Sequence, residues 1–146
     1  AVRLVLPEET PLLVRLSGTD WVEGGWTIED SVEASKLMKA EGVDLIDCST
    51  GGASRNAPIP VGPGYQVPVA EQIRREAGIA TGAVGMITEP AQAEAILAEG
   101  RADLILMGRE LLRDPYWAQN AWVELKPDTP SPIAREYAWA LAETRR

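Results

Sequence analysis

Ala80-Thr-Gly-Ala-Val-Gly-Met86 is followed, after one helix-length of chain, by Asp103-Leu-Ile-Leu-Met-Gly-Arg-Glu110. Each stretch is typical of a short buried strand that ends at a glycine. A glycine lets backbone N–H groups approach an anion closely, a helix N-terminus adds a favourable dipole, and an arginine adds a forked cation. Two such strand ends in succession are typical of the phosphate site after strands 7 and 8 of a (β/α)8 barrel. Gly85, Gly108 and Arg109 are therefore predicted phosphate ligands.

Four strand-then-helix units repeat along the chain. The first helix is predicted to open at Thr27 with a capping box to Asp30 and to end at Gly42. Its predicted inner stripe is Ile28, Val32, Leu37 and Met38. The predicted strands are Leu12–Leu16, Asp44–Ser49, Thr81–Val84 and Leu104–Met107. The later helices are predicted from Pro68 with Val69, Ile73 and Ala77 on one face, and over Pro90–Glu99, Glu110–Arg113 and Pro115–Leu125.

Alternating strands and helices with short connections predict a parallel sheet. Two architectures fit four units: a small open α/β sheet, or half of a barrel. Ala1 to Leu6 resembles the end of an earlier helix, and the phosphate signature falls on the last two strands. Both features favour an α/β fold that forms the second half, strands 5 to 8, of a (β/α)8 barrel. Residues 1–126 are assigned to this half and residues 127–146 to a C-terminal tail.

Composition narrows the function classes. The chain has 146 residues, whereas a full barrel usually needs about 250. A net charge of −8 argues against binding to nucleic acid or to an anionic membrane, and no stretch is apolar enough to span a bilayer, so a cytoplasmic location is expected. The absence of histidine excludes a Ser-His-Asp triad and a histidine-ligated metal. Cys48 is the only cysteine and is interpreted as a buried structural thiol.

Five segments, in order and across nearly the whole chain, resemble one enzyme family. On these segments the chain resembles the C-terminal half of the old yellow enzyme family of flavin-dependent ene-reductases, and most closely its thermophilic-type branch. The segments are Val14-Arg-Leu-Ser17, Gly42-Val-Asp-Leu-Ile-Asp-Cys-Ser49, Pro63-Gly-Tyr-Gln-Val67, Ala80-Thr-Gly-Ala-Val-Gly-Met-Ile87, and Gly100 to Pro115 with Gly108-Arg-Glu-Leu-Leu-Arg-Asp-Pro115 at its end.

The resemblance implies a flavin site. It places Arg15 beside the N1/O2 edge of the flavin, where a fixed cation stabilises the negative charge of the reduced ring. It places Ser49 on the ribityl-phosphate arm. From the residues alone, Arg15 has another interpretation, an ion pair with an acid inside the barrel. Asp44 and Asp47 are interpreted as structural acceptors at strand ends. The implied cofactor-binding residues are Arg15, Ser49, Gly85, Met86, Gly108 and Arg109.

The function implied by the resemblance is an FMN-dependent NAD(P)H oxidoreductase that reduces electron-poor C=C bonds. The family's proton donor and substrate anchors lie on strands 1 to 4, so this half is expected to contain no catalytic residue and to be inactive without an N-terminal half. The complete enzyme is expected to form a homo-oligomer. Two alternatives remain open: another barrel enzyme that binds a phosphorylated substrate, and a non-enzymatic flavodoxin-like binding module.

The tail also resembles the family's thermophilic branch, in which a C-terminal arginine reaches a neighbouring subunit's active site. The segment Pro132-Ile-Ala-Arg-Glu-Tyr-Ala-Trp139 matches a proline and a tryptophan of that pattern but has Tyr137 where the arginine is expected. Arg135 and Trp139 are the candidates for the role, and a tail that only packs is the alternative.

Overall fold

A computed structural model describes residues 1–126, 128–129 and 133–137. Short 3-10 turns occur at Val2–Leu4 and Arg135–Tyr137. The strands are β1 (Leu13–Ser17), β2 (Leu45–Ser49), β3 (Ala80–Ala83) and β4 (Leu104–Ile105). The helices are α1 (Ile28–Ala40), α2 (Val67–Ala77), α3 (Pro90–Ala98), α4 (Arg109–Arg113) and α5 (Trp117–Leu125). Among these elements, no helix is long and apolar enough to cross a membrane.

The four strands form one parallel sheet in the order β1-β2-β3-β4. Each strand pairs with its predecessor, which is the arrangement of consecutive strands in a (β/α)8 barrel. A flavodoxin-like sheet has the order 2-1-3-4-5, in which the chain reverses direction across the sheet. The predicted half-barrel is therefore confirmed, and the flavodoxin-like alternative is wrong.

The two faces of the sheet differ in what covers them. Side chains of Val14, Ile46, Cys48 and Ala83 point to one face and pack in the core with α2 and α3. The opposite face carries Leu13 and Leu104, which are 49% and 46% exposed. A doubly wound sheet has helices on both faces, whereas a barrel keeps its second face for the interior. The uncovered face is thus the interior face of the half-barrel.

Helix α1 begins with the predicted capping box. The Thr27 hydroxyl accepts a hydrogen bond from the Asp30 N–H, and the Asp30 carboxylate accepts one from the Thr27 N–H. The predicted inner stripe is wrong at Leu37, which is 70% exposed. The buried side of α1 instead contains Ser31 and Ser35. The Ser31 hydroxyl donates to the Gly18 carbonyl at 2.9 Å, which holds α1 close to the end of β1.

Helix α2 forms the centre of the core. Its predicted apolar face is confirmed, with Val69, Ile73 and Ala77 all buried. The helix ends at Gly78, whose φ of +63° is in the left-handed region that favours glycine. The Lys39 ammonium donates to the Gly78 carbonyl at 2.5 Å, which joins the ends of α1 and α2.

Three smaller predictions need correction. Ala1 to Leu6 forms a single 3-10 turn rather than the end of an α-helix. Asp44 lies before β2, where it accepts a hydrogen bond from the Leu12 N–H, but Asp47 lies in the middle of β2 and not at its end. The fourth strand is only two residues long, because beyond Ile105 the chain keeps just one further sheet bond, from the Leu106 N–H to the Ala83 carbonyl.

Candidate functional site

A cavity of about 350 Å³ opens at the carboxyl ends of the four strands. This is the end at which barrel enzymes place their active sites. All six of the predicted cofactor-binding residues line it, although they come from all four strands and from the loops that follow them. They are Arg15, Ser49, Gly85, Met86, Gly108 and Arg109.

The loop after β3 is held in an unusual backbone conformation. Gly85 has a φ of +119°, and Met86, which is not a glycine, has a φ of +51°. A side chain at position 85 would meet the Gln66 amide at 2.8 Å, so glycine is required there for steric reasons as well. The Gly85 carbonyl accepts from the Gly64 N–H, whereas the N–H groups of Gly85 and Met86 have no acceptor within the described part of the chain. These two donors are available to a ligand.

Gly108 and Gly85 differ in their backbone conformation and in the atoms that surround them. The Gly108 φ of −108° suits any residue, and a Cβ there would meet no heavy atom within 4 Å. The neighbouring residues therefore leave room for a side chain at position 108. The Gly108 N–H also has no acceptor in the residues that the structure describes.

Arg109 follows at once and is exposed at the cavity. Its guanidinium has no hydrogen-bond or ion-pair partner among residues 1–126, 128–129 and 133–137. The nearby Arg113 differs, because its guanidinium donates to the Glu110 carboxylate at 3.0 Å. A cation left without a partner beside free N–H donors is the arrangement that binds a phosphate.

Arg15, on β1, also lines the cavity. Its Nη1 donates to Asp47 Oδ2 at 2.8 Å, and its Nη2 donates to Ser49 Oγ at 3.1 Å. The ion pair that was the alternative interpretation of Arg15 from the residues alone is therefore present. Arg15 forms this pair and also lines the cavity. Ser49 stands at the end of β2, as predicted.

The sequence interpretation missed Gln66, which is buried and lines the cavity. Its Oε1 accepts from the N–H and hydroxyl of Thr50, at 2.6 and 2.9 Å, and from the Ser49 hydroxyl at 3.4 Å. Its Nε2 donates to the Val84 carbonyl at 3.2 Å. One amide thus joins the ends of β2 and β3. The available signal was its position two residues before Pro68, within a segment already noted for the resemblance.

Cys48 is fully buried on the helix-covered face of β2. Burial, and to a smaller extent the negative charge of Asp47, raises the pKa of its thiol to about 12. A protonated, enclosed thiol is a poor nucleophile, which agrees with the predicted structural role. Of the tail candidates, Arg135 begins a 3-10 turn, and Trp139 lies outside the described residues.

The sequence profile of the NADH:flavin oxidoreductase / NADH oxidase family matches residues 1–127. The chain belongs to this family. NADPH dehydrogenases from Listeria monocytogenes (strain EGD-e) and Bacillus subtilis (strain 168) are 55% and 54% identical to it over 129 residues, or 88% of the chain. The chain spans 38% of the length of these relatives. The solved complex of 2-naphthoyl-CoA reductase with 2-naphthoyl-CoA superimposes on 79% of the chain and 18% of its own chain, at 30% identity and a TM-score of 0.69.

Membership of the NADH:flavin oxidoreductase family implies FMN as the cofactor. The residues present fit a single terminal phosphate. Among the residues that the structure describes, the N–H groups of Gly85, Met86 and Gly108 and the guanidinium of Arg109 have no partner and are donors of the kind that a phosphate requires. The long glycine fingerprint that would hold a dinucleotide pyrophosphate is absent from the sequence.

Proposed function

We propose that this chain forms the phosphate end and one edge of the FMN site in an NAD(P)H-dependent reductase that acts on electron-poor C=C bonds. The observation that supports this proposal most strongly is the convergence of six residues, from four strands and the loops after them, on one cavity. Bound FMN supplies what the side chains cannot, the ability to accept a hydride from NAD(P)H and to donate one to a substrate.

Each part of the cavity has a role in the proposal. Gly85, Met86 and Gly108 donate backbone N–H groups to the phosphate, and Arg109 adds a charge-assisted contact. Arg15 places a fixed cation in the cavity lining, where it stabilises negative charge on the ring of the cofactor. No catalytic role is assigned to a residue of this chain.

The interior face of the sheet supports a further part of the proposal, the need for an N-terminal half. Leu13 and Leu104 are about half exposed on that face, and the outer edges of β1 and β4 are open. In a closed barrel both the leucines and the edges are covered. We therefore propose that the chain functions with the first four units of the barrel and that the complete barrel is the active enzyme.

The complete barrel, containing this chain, provides the test. Mass spectrometry of the released cofactor should identify FMN, and the purified protein should oxidise NAD(P)H when an activated enone such as 2-cyclohexenone is added. Arg109→Ala should lose FMN under conditions in which the exposed Arg75→Ala retains it. Release of FAD, or a complete barrel that binds no flavin, would contradict the proposal.

The second candidate function is a barrel enzyme that acts on a phosphorylated substrate. It is favoured only by the phosphate donors, which such an enzyme would share. Enzymes of that kind usually place a lysine, an acid or a histidine at a strand end as base or nucleophile. The acid in the described cavity wall, Glu110, is paired with Arg113, so this candidate has less support. Tight binding of a sugar phosphate in place of FMN would favour it.

A further inference from the structure

A charged pair lies on the interior face of the sheet, in the part that faces the cavity. Arg15 on β1 and Asp47 on β2 are direct register partners, and their side chains meet at 2.8 Å. The other terminal nitrogen of the guanidinium, Nη2, donates to the hydroxyl of Ser49, which lies two residues after Asp47 on β2. Two contacts to one neighbouring strand fix the plane of the guanidinium as well as its position.

Asp47 stands behind Arg15 and does not line the cavity. Its side chain is 18% exposed, whereas that of Arg15 is 56% exposed. Its Oδ2 accepts from Arg15, while its Oδ1 is buried and has no donor within the described residues. Asp47 can therefore influence a ligand only through Arg15 and through its own charge.

This pair is costly for the fold alone. Taking a carboxylate out of water requires several kcal/mol, and an apolar pair of similar volume is often at least as stable. The unpaired Oδ1 adds to the cost, because a buried acceptor without a donor keeps its desolvation penalty. Asp47, at 18% exposure, carries most of this cost, whereas Arg15 is 56% exposed. The charges are explained if the carboxylate sets the charge and direction of the cation at the cavity.

We propose that Asp47 is a positioning residue of the flavin site, which orients the Arg15 guanidinium toward the cavity and neutralises part of its charge. Arg15 with a counter-ion stabilises the reduced, more negative cofactor less strongly than Arg15 alone. Asp47 therefore lowers the reduction potential of the bound flavin. This inference rests on the proposed function, since it requires FMN in the cavity beside Arg15.

The reduction potential of FMN in the complete barrel tests the inference without measuring turnover. Asp47→Asn keeps the size of the side chain and an acceptor oxygen but removes the charge. We expect it to stabilise the reduced flavin by about tenfold, the effect of one unit charge over roughly 10 Å at an effective dielectric constant near 20. For a two-electron couple this is a shift of about 30 mV to more positive potential. Asp44→Asn, at the other end of the same strand, is the matched control and should leave the potential unchanged.

Two further variants keep the test decisive if Asp47→Asn retains no FMN. Asp47→Glu keeps the charge, and Asp47→Gln removes it at the same side-chain length. The reduction potential of the Asp47→Gln protein should therefore be about 30 mV more positive than that of the Asp47→Glu protein. An unchanged or more negative potential in the uncharged variants, or an equal shift in Asp44→Asn, would overturn the inference. These outcomes leave the proposed function intact, because FMN is bound in each of them. Failure of the unmodified complete barrel to bind FMN would instead remove the proposed function.

Discussion

The two ends of the sheet use the same residue types in opposite ways. At the amino end, Arg74 binds both oxygens of Asp103, at 3.0 and 3.1 Å, and Asp103 also accepts from the Thr81 N–H at 2.9 Å. At the carboxyl end, Arg109 and the N–H groups of Gly85, Met86 and Gly108 have no partner in the described chain. The arginine at the amino end thus stabilises the fold through its partner, whereas these groups at the carboxyl end remain available to a ligand.

The contacts at the amino end of the sheet lower the pKa of the Asp103 carboxyl. Partial burial acts to raise the pKa of its carboxyl, but the hydrogen bonds from Arg74 and Thr81, together with the charge of Arg74, outweigh burial and hold the pKa below its ordinary value. The same contact raises the pKa of Arg74. A pair in which each partner favours the charged form of the other contributes to folding stability at neutral pH.

The largest expected effect is a loss of FMN affinity when Arg109 is replaced but not when Arg74 is replaced. Arg109→Ala should weaken FMN binding by the complete barrel by roughly 1.5–3 kcal/mol, or about ten- to a hundredfold, because a charge-assisted phosphate contact is lost. Arg109→Lys should recover only part of this, since a lysine lacks the fork. Fluorescence titration with FMN measures the dissociation constants. Arg74→Ala is the control and should leave the constant unchanged; equal losses in both alanine variants would erase the distinction between the two ends.

The second prediction concerns stability at the amino end. Asp103→Ala should lower the free energy of unfolding by about 1–3 kcal/mol, because it leaves the Thr81 N–H without its acceptor. The folded-state pKa of Asp103 is lowered, so its contribution is present above the ordinary carboxyl pKa and is lost as the pH falls through the folded-state value. Urea unfolding of the complete barrel at several acidic pH values should therefore show a shallower loss of stability in Asp103→Asn. Identical pH profiles for this variant and the unmodified protein would contradict the assignment.

The third prediction uses the two glycines of the cavity. Gly85→Ala should lower the free energy of unfolding by about 1–2 kcal/mol, because an alanine at positive φ is strained and its Cβ would press on Gln66. Gly108→Ala should leave stability almost unchanged and should weaken FMN binding, since its Cβ meets only cavity space. Thermal unfolding without FMN, followed by FMN titration, separates the two. A Gly108→Ala variant that binds FMN normally would show that the phosphate does not approach this backbone.

The smallest expected effect is at Cys48. A buried thiol with a pKa of about 12 should react with a thiol-specific reagent such as 5,5′-dithiobis(2-nitrobenzoic acid) only after unfolding. Absorbance of the released thiolate at neutral pH, with and without denaturant, measures this. Incubation of the folded complete barrel with the reagent should leave its FMN content unchanged. Rapid labelling of Cys48 in the folded protein would mean that the helix-covered face of the sheet opens more readily than its packing indicates.

The sequence by itself determined the order of the elements and the end of the sheet at which the ligand site lies. Local signals were sufficient for this: the capping box at Thr27, the glycine after α1, and the glycines that end the last two buried strands are all readable within a few residues. Because parallel strands bring their carboxyl ends to one edge, Gly85, Gly108 and Arg109 could be placed together from the residues alone, whereas Arg15 was assigned to the same cavity through the family resemblance.

Only the tertiary structure decided which polar groups have partners. The partner of Arg15 is 32 residues away, and that of Arg74 is 29 residues away, so neither pair follows from local periodicity. For the same reason Asp47 could not be distinguished from Asp44, nor Gln66 from a surface glutamine, until β2, β3 and α2 were assembled. The exposure of Leu37 has this cause as well, because the buried side of α1 is set by the contact of Ser31 with the end of β1. A sequence states which groups a strand carries; which of them remain free for a ligand depends on what the neighbouring strands bring within hydrogen-bonding distance.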